Sequence, residues 1–161
     1  MYKRQGKKGS EEYLDSEKYQ IRHWDRSDPI SIAPLLTQLN QIRHAHPVLQ
    51  RNEGLHFHPT QNDEVMCYSK TSADGNDTVI VAINLDPKAE QTAWIQLRLD
   101  WLGVPWNGSL EVEDLLTGAI YTWKEWCYVA LRPEQPAHIL RVTARIAPVV
   151  LALPATTLAG V

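Results

Sequence analysis

From Gly54 onward the sequence alternates apolar and polar residues in short runs, and each run ends at a turn signal. That period of two is the spacing of a strand with one face in a core and the other in water. The runs are Leu55 to His58, Val65 to Lys70, Val79 to Asn84, Trp94 to Leu99, Leu110 to Asp114, Ile120 to Trp123, Tyr128 to Leu131 and His138 to Thr143. Between them stand Ala73-Asp74-Gly75-Asn76-Asp77, Asp86-Pro87, Trp106-Asn107-Gly108, Thr117-Gly118-Ala119 and Arg132-Pro133-Glu134. Segments this short, with no helical pattern between them, predict a mainly β fold, an antiparallel β-sandwich, and exclude a parallel α/β arrangement.

One helix precedes them. Ile32, Leu35, Leu36, Leu39 and Ile42 recur at three- and four-residue steps, which predicts an amphipathic helix within 31–46. Ser31 is its expected N-cap, Pro34 falls in the first turn where no intrahelical donor is lost, and Pro47 closes it. The apolar stripe has no helical partner in this sequence. It therefore packs on the sandwich or belongs to a larger domain whose remainder lies upstream.

Ahead of the helix, "GSEEYLDSEKYQIRHWD" (9–25) follows neither period yet is dense in Tyr, Trp, Lys, Arg and carboxylates. Such side chains stack and hydrogen-bond. The basic start, residues 1–8, is followed by no apolar h-region and is no signal peptide. The apolar run 146–161 is broken by Pro148 and Pro154 and is too short to span a bilayer. A net charge of −3 offers no basic face for nucleic acid. Cys67 and Cys127 are the only two cysteines and form no CxxC, so reduced thiols in a cytoplasmic protein are expected.

The motif 9–25, the helix with "LLTQLNQIRHAHPVLQ", and then "DTVIVAINLDP", "VEDLLTGAIYTW" and "PAHILRV" are similar, in order and spacing, to the C-terminal part of bacterial α-1,4-glucan:maltose-1-phosphate maltosyltransferases. These belong to the α-amylase family of glycoside hydrolases and related transferases. The resemblance runs from about Gly9 to Arg141. It implies that 1–53 is the terminal piece of a (β/α)8 catalytic barrel, with a substrate loop at 9–25 and the last barrel helix at 31–46. Residues 54–144 would be an α-amylase-type C-terminal sandwich and 145–161 an unassigned tail. The loop would then lie on the C-terminal face of the barrel, where active sites are built.

The resemblance further implies that Lys18 and Tyr19 contact the maltosyl phosphate donor, an ammonium and a phenol both suited to sugar hydroxyls. It implies α-maltose 1-phosphate and an α-1,4-glucan acceptor as substrates of the full-length enzyme, and a homodimer. Apart from the resemblance, no GxGxxG, P-loop, GxSxG or HExxH motif appears, and no cofactor and no metal are expected. The family's nucleophilic aspartate, general acid/base glutamate and transition-state-stabilising aspartate lie upstream of the motif. No catalytic residue is therefore assigned here, and Glu11, Glu12, Asp15 and Glu17 are expected to be solvated loop carboxylates. A retaining mechanism needs two flanking carboxyl groups, so this piece alone is expected to be inactive.

Two constellations stand outside the resemblance. His56 and His58, two apart on an expected strand, share a side and could chelate a metal, but no third ligand stands at a known spacing, so ordinary packed or polar histidines are expected. The chain carries six tryptophans against one phenylalanine. Trp94, Trp101, Trp106, Trp123 and Trp126 could build a carbohydrate platform, the basis of an alternative reading as a stand-alone carbohydrate-binding module. Packing in the core and at a domain interface is the expectation preferred for them.

Overall fold

The computed structural model describes residues 31–148. The chain divides into two compact units, 1–45 and 46–161. In the first, the expected helix is present as α1 (Ala33–Ala45). Ser31 does serve its start: the Ala33 N–H donates to Ser31 Oγ at 3.3 Å. Ile42 is buried, whereas Ile32, Leu35 and Leu36 remain exposed.

The second unit opens with a 3₁₀ turn, Pro47–Gln50, and continues through eight strands. They are β1 (Leu55–His58), β2 (Val65–Thr71), β3 (Thr78–Asn84), β4 (Gln91–Gln96), β5 (Ser109–Asp114), β6 (Ile120–Trp123), β7 (Trp126–Leu131) and β8 (Ala137–Ile146). Six form one sheet in the order β1-β2-β3-β8-β5-β6, and β4 pairs with β7 in the other. Every strand pair is antiparallel. The antiparallel sandwich expected from the alternation is thus the fold.

The main core lies between the layers. Val65, Cys67, Ile80, Ala82, Leu110, Val112 and Leu140 of the large sheet meet Ala93, Ile95, Cys127, Val129 and Leu131 of the small one. Strands β5 and β7 alternate strictly between buried and more exposed positions, since each covers the core with one face only. β3 is buried almost throughout because its far face is also covered: Val79 and Val81 pack with Val48 of the 3₁₀ turn in a second cluster. The chain therefore enters the sandwich on the outer face of the large sheet.

One expected strand is displaced. The run from Trp94 to Leu99 predicts a strand, but the ladder spans Gln91–Gln96, and Leu99–Leu102 form a 3₁₀ turn. Leu97 and Leu99 still point into the core, so burial continues with period two after strand pairing has stopped. Gly103 closes the turn at a φ of 73°, a left-handed conformation. β8 in turn reaches past Thr143 to Ile146. Its register against β5 shifts at Glu111/Val112, where the Thr143 hydroxyl donates to the Glu111 carbonyl at 3.1 Å.

No described helix is long and apolar enough to cross a membrane.

Candidate functional site

Lys18 and Tyr19, and the whole segment 9–25, lie outside the described residues. Within them, chemistry-bearing side chains gather on the outer face of the small sheet and at one end of it.

Pairing of β4 with β7 sets Trp94 opposite Tyr128 and Gln96 opposite Trp126. Ala93, Ile95, Cys127 and Val129 point inward, so strand alternation forces Trp94, Gln96, Trp126 and Tyr128 outward. Trp94 is 47% exposed, Trp126 45% and Tyr128 53%. The Trp94 and Tyr128 ring centroids are 5.4 Å apart, with the planes tilted by 59°. Gln91 and Thr92 continue β4 toward its other end, and Thr92 faces Ala130. No large aliphatic side chain is exposed on either strand, so the outward surface is aromatic and polar.

Gln96 ties this strip to a neighbouring cleft of about 500 Å3, lined among others by Pro59, Gln96, Arg98, Asp100, Trp106 and Glu125. The Gln96 side-chain amide donates to Glu125 Oε1 at 3.1 Å. Its backbone N–H donates to the Pro59 carbonyl at 2.9 Å, and the Leu97 N–H to the Glu125 carbonyl at 2.7 Å, which fixes the walls. Arg98 forks onto Asp100, Nε to Oδ1 at 3.2 Å and Nη2 to Oδ2 at 3.0 Å. Hydrogen bonds from that guanidinium hold the Asp100 carboxyl below its ordinary range, and Asp100 in turn raises Arg98. The Arg98 guanidinium also lies 4.6 Å from the Trp101 ring centroid. Trp106 stands at the rim, 78% exposed.

Core packing, one half of the role expected for the tryptophans, is seen for Trp123, which is buried, whereas Trp94, Trp106 and Trp126 are exposed on this part of the protein. Trp101 is a partial case, its ring 4.8 Å from that of His56. The signal that could have found the outward strip was phase. Trp94, Trp126 and Tyr128 occupy the polar phase of alternating strands whose other phase is Ala93, Ile95, Cys127, Val129 and Leu131.

The histidine pair does other work. His58 is buried; its Nδ1 accepts the Arg98 N–H at 3.2 Å, which leaves Nε2 to donate to Ser69 Oγ at 2.8 Å. Burial, and to a lesser degree His56 and Arg98, push its pKa down to about 4 against a small opposing pull from Asp100. It is a neutral structural residue with both ring nitrogens in use. No group of three metal-ligating side chains occurs among the described residues. Cys67 and Cys127 are both buried free thiols. Burial raises Cys67 far above the ordinary thiol range and pushes Cys127 up to about 12.

The family described as GLGE, C-terminal, matches residues 57–142. The chain is 48% identical over 141 residues, 84% of its length, to alpha-1,4-glucan:maltose-1-phosphate maltosyltransferase 1 of Streptomyces coelicolor, of which it covers 21%. To the maltosyltransferase of Corynebacterium glutamicum it is 42% identical over 83% of this chain and 20% of that protein. To that of Chlorobaculum tepidum it is 39% identical over 83% and 21%. Among solved structures it is similar to a GH27 β-L-arabinopyranosidase of Geobacillus stearothermophilus, at 13% identity and TM-score 0.40, over 65% of this chain and 22% of that one. The chain spans about a fifth of the length of the curated relatives it matches. With more than half of its residues matched by that one family, and the expected sandwich built from them, the chain belongs to the GLGE C-terminal family.

Proposed function

We propose that this chain is the C-terminal piece of a maltosyltransferase. The enzyme would transfer maltosyl units, with retention, from α-maltose 1-phosphate to the non-reducing end of α-1,4-glucans and release phosphate. The observation that carries this reading is 48% identity along 84% of the chain to a protein of that name. In this reading residues 1–53 complete a catalytic barrel, 54–144 form its C-terminal sandwich, and 145–161 have no assigned part. Lys18 and Tyr19 contact the donor. The enzyme is a cytoplasmic homodimer that uses no cofactor.

The piece itself supplies position rather than chemistry. Glycosyl transfer with retention requires a carboxylate nucleophile and a second carboxyl group that protonates the leaving oxygen, about 5–5.5 Å apart. The resemblance puts both upstream of residue 9. A lysine and a tyrosine can orient a donor but cannot replace that pair.

The test is phosphate release from α-maltose 1-phosphate with a maltooligosaccharide acceptor. One arm uses the chain alone; the other uses a chimaera in which it replaces the matching C-terminal fifth of the Streptomyces coelicolor relative. The chimaera should turn over and the chain alone should not. Heat-labile phosphate release by the chain alone, or a folded dimeric chimaera without activity, overturns the proposal.

A further inference from the structure

We infer that Asn107 is a spontaneous modification site, whose side-chain amide closes onto the Gly108 nitrogen, loses ammonia, and opens to aspartate and isoaspartate. The isoaspartyl form loosens the end of the β5–β8 ladder. The site is independent of the maltosyl transfer proposed above.

Two dipeptides, Asp74-Gly75 and Asn107-Gly108, set a carboxyl or an amide directly before a glycine. Glycine matters because a Cβ on the following residue shields its own backbone nitrogen from attack on the preceding side chain. The structure separates the two. Asp74 Oδ1 accepts from Ser72 Oγ at 2.5 Å and from the Asn76 N–H at 3.2 Å, while Oδ2 accepts from the Asn76 side-chain amide at 2.9 Å. The Ser72 hydroxyl first, and then Asn76, hold this carboxyl below its ordinary range, and an ionised carboxylate offers no leaving group. Asn107 is exposed, and its side chain bonds to no other described residue. The remaining asparagines are all followed by a residue with a side chain, and Asn62, Asn76 and Asn84 are also hydrogen-bonded.

Trp106 and Asn107 form the centre of a turn closed by the Gly108 N–H, which donates to the Pro105 carbonyl at 2.8 Å. The turn projects into water, with Trp106 78% exposed, so its opening is a local event that leaves the core intact. Once it opens, hydroxide takes the Gly108 proton and the nitrogen attacks Asn107 Cγ. The new N–Cγ bond closes a cyclic imide as the Cγ–Nδ2 bond breaks, and ammonia leaves with a proton from water. Water then opens the ring: cleavage at Cγ gives aspartate, and cleavage at the main-chain carbonyl gives isoaspartate. Packing fixes glycine at this position, because a Cβ on Gly108 would overlap Val104 Cγ1 and lie 2.7 Å from the Ile146 carbonyl oxygen. The contact that requires glycine thus leaves its nitrogen unshielded. Isoaspartate adds a main-chain carbon directly ahead of that contact and of the Ser109–Ile146 pair that ends the β5–β8 ladder.

The experiment is peptide mapping of the folded 161-residue chain after incubation at mildly alkaline pH, beside a sample held in guanidinium. Tryptic cleavage after Arg98 and Lys124 yields residues 99–124, in which Asn107 carries the one side-chain amide, so any amide-to-acid mass gain there is its own. That peptide should give two acidic products of equal mass and distinct elution. It should change several-fold faster than residues 52–70, which carry Asn52 and Asn62, and faster still as pH rises. In Asn107→Ser the mass of residues 99–124 should stay constant. The isoaspartyl chain, isolated by chromatography, should melt below the parent. An unmodified 99–124 in the folded chain, modification in guanidinium only, a single aspartyl product, or change no faster than in 52–70 overturns the site. An isoaspartyl chain that melts with the parent overturns the effect on β5 and β8.

Discussion

The side-chain amide of Asn84, at the end of β3, donates to the backbone carbonyl of Leu131, at the end of β7, at 2.9 Å. It joins the two sheets of the sandwich where no strand pairing does. The same amide donates to the Ala89 carbonyl at 2.9 Å, and Oδ1 accepts the Asp86 N–H at 2.8 Å. Asn84→Ala should cost about 2–4 kcal/mol, because it leaves the Leu131 carbonyl buried without this donor and frees the 85–89 turn. A urea titration that moved by less than about 0.5 kcal/mol would show the bridge to be idle.

Asp114 is fully buried at the end of β5 and organises the turn to β6. Its Oδ1 accepts the Leu116 N–H at 3.1 Å; its Oδ2 accepts from Thr117 Oγ1 and from His138 Nδ1, both at 2.9 Å. Gly118, at a φ of 77°, completes the turn in the left-handed region that suits glycine. Asp114→Ala strands three donors and should destabilise by roughly 3–5 kcal/mol. His138→Ala removes one partner only and should cost visibly less, in parallel denaturant titrations.

Acidification should weaken the sandwich through His58. Its folded pKa of about 4 lies below the ordinary 6.5, so the unfolded chain binds the proton first. The preference for the neutral ring is fully present above pH 6.5 and is lost as pH falls from there toward 4. The loss should be on the order of 2–3 kcal/mol. In thermal melts across that window the parent should lose more stability than His58→Gln, which has no ring to protonate. Parallel slopes for the two proteins would remove His58 from the explanation.

Both thiols should be silent in the native state. With Cys127 pushed up to about 12 and Cys67 raised further, the thiolate fraction at pH 8 is about one in ten thousand or less, and both side chains are buried. A disulfide-exchange reagent should titrate no thiol in the folded chain within minutes and two in guanidinium. Fast labelling without denaturant would contradict the packing around β2 and β7.

For the proposed donor contacts, the active chimaera is the place to test Lys18 and Tyr19. A charged donor to a sugar oxygen contributes roughly 1.5–3 kcal/mol and a neutral one about 0.5–1.5. Lys18→Ala should therefore lower kcat/KM for α-maltose 1-phosphate more than Tyr19→Phe, by about tenfold for each 1.4 kcal/mol between them. Unchanged kinetics with an unchanged melt in Lys18→Ala would leave the loop a structural role only.

The sequence by itself determined where the strands other than β4 lie, to within a few residues at their ends, and which phase of an alternating strand is apolar. Alternation in the runs Leu110 to Asp114 and Tyr128 to Leu131 sets Leu110, Val112, Val129 and Leu131 in the apolar phase, and all four are buried; the second strand also takes in Trp126 and Cys127, ahead of the expected run. It also placed α1, whose stripe and N-terminal serine are local signals. Tertiary structure alone decided which strands pair. β8 lies between β3 and β5, and β4 leaves its neighbours in sequence to pair with β7. It likewise decided where β4 stops, since Leu97 and Leu99 keep the apolar phase beyond the ladder. The reason is the range of the information. Period two reports that a residue faces a core, but not which sheet supplies the other wall, nor whether the opposite face meets water, a turn or a ligand. For β3 the 3₁₀ turn Pro47–Gln50 covers that face, while among the described residues the outer face of β4 and β7 is exposed and aromatic.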